Sequence, residues 1–189
     1  MKIILSPAKK MVVDTFSIEA ASLPSLMHQT EEILAYLKRK SKDELKAIWK
    51  CNDVIVQENV ERLQHMNLYE HLTPAILAYD GIAFKYMAPS IFENEQFAYI
   101  QNHLRILSAF YGVLKPMDGV YRLEMMAKVS VNDTKNLYAY WRDLLYKEII
   151  DESGIIINLA SKEYAKCIEK YLQEKDQFIT ITFCEMAGN

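Results

Sequence analysis

The sequence predicts an α/β fold, a single compact domain with a mixed sheet flanked by helices. Three observations predict it: short apolar runs rich in β-branched residues at 2–5, 155–158 and 178–184, amphipathic stretches between them, and no linker-like segment. Of the 189 residues, 51% are hydrophobic and 25% charged, which is too apolar for disorder and enough to bury a core without disulfide or metal staples. Five Gly and five Pro are scattered along the chain, so residues 1–189 read as one domain.

The elements follow in order. Residues 2–5 read as a buried strand that ends at Ser6-Pro7. From 25 to 40, Leu26, Ile33, Leu34 and Leu37 recur at helical spacing. Ser41 and Glu44 have capping-box spacing and open a second helix through Trp49, and Asn52 is placed to cap a third carrying Val56, Val60 and Leu63. Residues 75–79 read as a buried strand before the Asp80-Gly81 turn, 93–103 as a helix, and 104–113 as a second apolar run. Residues 121–125 alternate in polarity and read as a strand. Residues 137–150 carry one helical stripe, residues 155–158 form a strand, Ser161 caps a helix ending near Leu172, and 178–184 close the chain as a strand.

No apolar run reaches the roughly 18 to 20 residues of a bilayer span, and the apolar start is too short for a signal-peptide core. The expectation is a cytoplasmic protein with no membrane partner. Cys51, Cys167 and Cys184 match neither a disulfide framework nor zinc spacing and read as buried thiols. No two of the four histidines stand at metal-pair spacing, so no metal site and no cofactor is expected. With a net charge of −3, any binding of anions must be local.

Five places carry candidate chemistry. Ser6, Lys9 and Lys10 follow a buried strand, where open α/β sheets hold ligands, and supply a hydroxyl and two ammonium groups for a phosphate or carboxylate. The same residues also fit a solvated basic turn. Arg122 and Glu124, two apart in an extended segment, would leave one sheet face as a guanidinium beside a carboxylate, either to orient an anion and tune a proton-transferring Glu or as a structural ion pair. Asn158 and Ser161 lead from a strand into a helix N-terminus, which favours anions or simple capping. Arg105, inside an apolar strand, needs an acidic partner or an aqueous cleft. Lys115 lies in the Leu114-Lys115-Pro116-Met117-Asp118 turn.

These segments, in this order, resemble the YaaA family of bacterial peroxide-stress proteins. The resemblance rests on Ile3-Ile4-Leu5-Ser6-Pro7-Ala8-Lys9, on Pro74-Ala75-Ile76-Leu77-Ala78-Tyr79-Asp80-Gly81, and on the run from Leu104-Arg105-Ile106-Leu107-Ser108 to Lys115-Pro116-Met117-Asp118. It continues through Tyr121-Arg122-Leu123-Glu124-Met125, Leu137-Tyr138-Ala139-Tyr140-Trp141 and Ile157-Asn158-Leu159-Ala160-Ser161-Lys162-Glu163-Tyr164. The resemblance implies a role in hydrogen peroxide stress, limiting damage from unincorporated iron. It also implies a compact α/β domain with a basic cleft and a helix-hairpin-helix-like element that binds double-stranded DNA.

The chain departs from the family pattern in its final residues, where a family C-terminal extension is expected to be missing. It departs again in the short Gly119-Val120 connection, at Met126, and at Ile82-Ala83-Phe84. The best hairpin candidate, residues 42–58, has no glycine at its Lys50-Cys51-Asn52-Asp53 turn.

The leading expectation is a peroxide-response protein binding double-stranded DNA or another polyanion through Ser6, Lys9, Lys10, Arg105, Lys115, Arg122, Asn158 and Ser161. The alternative is an enzyme acting on a small anionic metabolite, with Arg122 and Lys9 on the anion, Glu124 as acid or base, and Ser6 or Ser161 as an orienting donor. A third reading is a scaffold whose charges pair with one another.

Overall fold

Five strands make one sheet in a computed structural model that describes residues 1–14, 18–49, 52–125 and 136–182. The central strand is β1 (Lys2–Leu5), and between it and the next sheet strand come α1 (Met27–Lys38), α2 (Lys42–Trp49), α3 (Asp53–His65), the short β2 (Thr73–Pro74), α4 (Ala75–Ala78), α5 (Ile82–Met87) and α6 (Asn94–His103). There follow β3 (Leu104–Ser108), β4 (Gly112–Leu114), β5 (Gly119–Val120), α7 (Leu137–Trp141), α8 (Leu144–Ile149), β6 (Ile155–Asn158), α9 (Lys162–Glu169) and β7 (Gln177–Thr180). The sheet order is β4-β3-β1-β6-β7, and β2 pairs with β5 separately.

β1 runs parallel to β3 on one side, with Ile4 opposite Arg105, and parallel to β6 on the other, with Ile4 opposite Asn158. β6 and β7 are also parallel, and β4 alone folds back antiparallel on β3. The chain therefore leaves β1 toward β3 and later returns to its other side through β6. That reversal opens a crevice beyond the carboxyl ends of β1 and β6, the usual ligand position in open α/β sheets.

Local signals set many of the elements. Ser41 and Glu44 form the reciprocal box: the Ser41 N–H donates to Glu44 Oε2 at 2.8 Å and the Glu44 N–H to Ser41 Oγ at 3.3 Å. Asn52 caps α3 by accepting from the Ile55 N–H at 3.0 Å. Glu93 and Gln96 make a second box at the start of α6. Ile4, Ile33, Leu37, Ile76, Ile106, Phe110, Leu114, Trp141 and Ile149 pack into one core.

Five elements differ from the expectation. Residues 75–79 are buried apart from half-buried Leu77, but 75–78 form the helical turn α4, because the Ala75 and Ile76 N–H groups reach Asp118 and Pro116 carbonyls instead of a strand neighbour. Residues 121–125 are not a strand. The Tyr111 hydroxyl donates to the Tyr121 carbonyl at 2.8 Å and accepts the Tyr121 N–H at 2.9 Å, taking both backbone groups a neighbouring strand would use. The stripe over 137–150 is broken into α7 and α8 by Arg142, whose φ of 49° no helix permits. The helix after Ser161 ends at Glu169, and the Ser161 side chain does not cap it. The last strand is confined to Gln177–Thr180, and Cys184, Cys51 and Met126 lie outside the described residues.

No helix among the described residues is long and apolar enough to cross a membrane.

Candidate functional site

The segments leaving β1 and β6 meet at the crevice. The Ser161 N–H donates to Ser6 Oγ at 2.8 Å, and Ser6 Oγ donates onward to Ser161 Oγ at 3.2 Å. A cleft of about 300 Å³ opens above this pair, walled by Leu5, Ser6, Pro7, Ala8, residues 81–84 and residues 159–161. Gly81 lets its two sides approach, since a Cβ there would lie 2.8 Å from the Ala8 Cβ. Beneath it, buried Asn158 closes a local turn, accepting the Ala160 N–H at 2.9 Å and donating to Thr180 Oγ1 at 3.2 Å. Asn158 thus shapes the turn that presents Ser161. The Ser161 hydroxyl, turned to Ser6, leaves the first N–H groups of α9 without a side-chain cap.

The rim is basic. Exposed Lys9 follows Ala8 and has no ion-pair or hydrogen-bond partner among the described residues. Exposed Lys162 follows Ser161, while its neighbour Glu163 has a carboxylate oxygen buried, near Tyr138 and Cys167. Asp80 holds two more lysines, pairing with Lys10 and, at 3.1 Å, with Lys85. Hydrogen bonds from Lys10 first and Lys85 second hold the Asp80 carboxyl below its ordinary range. Two lysines thus share one bridging carboxylate, and two more, Lys9 and Lys162, follow residues of the cleft wall, on a chain of net charge −3.

Glu124 sits in a different role from the one the sequence suggests. Its Oε1 accepts the N–H groups of Ala109 at 3.0 Å, Phe110 at 3.2 Å and Met125 at 2.8 Å, and its Oε2 accepts the Tyr79 hydroxyl at 2.6 Å. Burial raises its pKa, opposed by the Tyr79 hydrogen bond and the backbone donors. The carboxylate thereby ties residues 121–125 to the β3–β4 turn and to Tyr79. The Tyr79 ring packs 5.5 Å from Phe84 in the cleft wall, and Tyr164 of α9 donates to the Met125 carbonyl at 3.1 Å. Glu124 is the knot under the cleft floor.

The remaining sequence candidates do not join the cleft. Arg105 is 7% exposed and donates through Nη1 to the carbonyls of Gln101 at 3.0 Å and Leu104 at 2.6 Å, at the amino end of β3. Its acidic neighbours are Asp118, Glu148 and Asp151, so its partners replace the aqueous cleft expected for it. Lys115 follows Leu114, which pairs with Ile106 next to Arg105, and its N–H donates to Asp118 Oδ2 at 2.8 Å. Neither lines the cleft at Ser6. Arg122 is half-buried with no partner among the described residues, and the Glu124 carboxylate turns inward, so the two do not form the expected pair on a sheet face.

Sequence reasoning missed Lys85 and Lys162. Both directly follow residues of the cleft wall, and the Asp80-Gly81 turn was the available signal for Lys85. Among the described residues, no group of three or more His, Cys, Asp or Glu side chains is arranged to hold a metal. Burial first and Glu163 second push the buried Cys167 thiol up to about 12, which leaves it protonated and unreactive at neutral pH.

Among known proteins, a family model described as peroxide stress protein YaaA matches residues 1–189. A UPF0246 protein of Agathobacter rectalis is 69% identical over 191 residues, spanning 100% of this chain and 77% of its own length. UPF0246 proteins of Lachnoclostridium phytofermentans and Ligilactobacillus salivarius are similar at 52% and 50% identity, with 100% and 97% of this chain and 74% and 75% of their own lengths covered.

Proposed function

The chain belongs to the family of the peroxide stress protein YaaA, and from that premise we propose that it acts in the response to hydrogen peroxide by binding double-stranded DNA at the lysine-rimmed cleft. The observation that carries this reading is the Ser6–Ser161 pair at the switch point of the sheet, in a cleft whose wall residues are flanked within two residues of sequence by Lys9, Lys10, Lys85 and Lys162. A phosphate seated there accepts from the N–H groups at the start of α9 and lies within a positive rim. Covering DNA in this way limits iron-driven damage to it. The α2–α3 hairpin supports DNA contact less well, because Lys42 is bonded to Gln57 at 2.7 Å and Lys46 to Asp53 at 2.6 Å.

A second reading, a small phosphorylated or carboxylated metabolite, is favoured by the limited size of the cleft and its largely apolar wall. The two separate on salt. Duplex binding followed by anisotropy should weaken linearly in log salt, by about 0.9 per phosphate contacted, and Lys9→Ala with Lys85→Ala should lower that slope by up to about two such contacts. No duplex binding at about 50 mM salt, or a slope unchanged in the double variant, would overturn the DNA reading. Calorimetric binding of inorganic pyrophosphate, abolished by the same variant, would establish the second.

A further inference from the structure

We propose that the outer flank of α1 is a self-association surface, on which a second copy of this chain lays its own α1 antiparallel. The inference is independent of the DNA reading. Thr30, Ile33 and Leu37 turn one side of α1 into the core and are fully buried. Glu31, Leu34, Ala35 and Lys38, at the spacing of a single helical stripe, are left on the flank, where Leu34 is half-buried and the other three are exposed. The segment joining α3 to β2 runs beside that stripe. Between the two lies a groove of about 430 Å³, larger than the cleft at Ser6, with buried Met66 and Leu68 and exposed Tyr69 on its other wall.

The stripe complements itself. Glu31 and Lys38 stand two helical turns apart, about 10 Å along the axis, with Leu34 and Ala35 midway between them. A two-fold axis passing between Leu34 and Ala35 sets Glu31 of one copy opposite Lys38 of the other at both ends, and sets the larger Leu34 against the small Ala35 in the middle. Parallel pairing would oppose like charges, so charge selects the antiparallel arrangement. Both charged groups are open to a partner. Lys38 has no ion-pair or hydrogen-bond partner among the described residues, and Glu31, which accepts the Tyr69 hydroxyl on Oε1, keeps Oε2 for a second donor. The Tyr69 ring, 54% exposed, gives the incoming helix an apolar surface to cover at that end. Two helical turns and a short loop make a small contact, on the low side of the roughly 1,200 Å² that separates transient from stable interfaces, so the association is reversible and concentration-dependent.

The test is sedimentation velocity of the whole chain from about 5 to about 500 μM, a range that brackets transient association. Wild type is expected to shift from monomer toward dimer as concentration rises. Glu31→Lys and Lys38→Glu each oppose like charges at both ends and should each weaken the dimer by at least about tenfold. The double variant, Glu31→Lys with Lys38→Glu, reverses the charge order and should restore it. An equimolar mixture of the two single variants pairs opposite charges at both ends, so it should dimerise where neither variant does alone. Wild type that stays monomeric throughout overturns the inference, as does a dimer that the single reversals leave unchanged, since its contact then lies elsewhere. Failure of both the double variant and the mixture to recover association overturns the antiparallel pairing. Glu31 and Lys38 are exposed, so these substitutions leave the core intact.

Discussion

Replacing Gly112 with alanine is expected to destabilise the fold by about 2–5 kcal/mol, through backbone strain and overpacking together. Gly112 opens β4 with a φ of +82°, a conformation in which a Cβ crowds the following carbonyl. A Cβ there would also lie 2.8 Å from Leu26 Cδ1 and 3.2 Å from both Leu145 Cδ2 and Trp141 Cη2. Those neighbours cannot easily give way, since Trp141 is 1% exposed and its indole N–H donates to the Ala109 carbonyl at 3.0 Å. A domain of this size loses roughly 2–4 °C of Tm per kcal/mol, so a thermal melt should show a fall of about 10 °C. A change of about one degree would mean that the turn between β3 and β4 relaxes in a way this packing does not allow.

Glu124 carries the other large effect. Glu124→Ala removes the acceptor of three backbone N–H groups and the Tyr79 hydroxyl, and each donor left buried and unpaired costs about 1–3 kcal/mol. A total loss of at least about 4 kcal/mol in urea denaturation is expected. Glu124→Gln keeps one oxygen for the backbone donors, while its amide can donate to a reoriented Tyr79 hydroxyl, so it should cost about 1 kcal/mol.

The pH dependence of that smaller loss reads the charge state directly. Burial raises the folded carboxyl above its ordinary range. The unfolded chain therefore releases the Glu124 proton at lower pH than the folded one, and the group's contribution to stability falls as pH rises from the ordinary value through the folded one. Glutamine does not titrate. The deficit of Glu124→Gln should accordingly be largest in acid and shrink toward neutral pH, in denaturation curves recorded from about pH 4 to 7. A deficit that grows with pH would mean that the four hydrogen bonds outweigh burial.

The elements legible in the sequence are those whose cause is local. Strands β1 and β6, the Ser41–Glu44 box and the Asn52 cap depend on residues within a few positions of each other. Where the sequence misleads, a distant group intervenes: Tyr111 satisfies Tyr121, and the Pro116 and Asp118 carbonyls turn residues 75–78 into a helix. The site divides along the same line. Ser6 is readable because it directly follows a strand, and Ser161 because it lies at the start of the helix that follows one. The roles of Asp80 and Lys85 were not, since they depend on Gly81 letting α5 approach Ala8 across more than seventy residues of chain. Arg105 looked like a cleft residue because a charge in an apolar strand needs a partner, and only the fold reveals that Gln101 and Leu104 carbonyls provide it.

We propose that DNA phosphate is held in the cleft between Ser6 and Ser161. Backbone amide chemical shifts, recorded while a short unlabelled duplex is titrated into the isotope-labelled protein, test it most directly. The largest shifts are expected on Ser6, Lys9, Gly81, Lys85 and residues 161–163. Shifts confined to α2 and α3, with the amides of 161–163 unmoved at saturation, would contradict it and move the DNA interface to the helical hairpin.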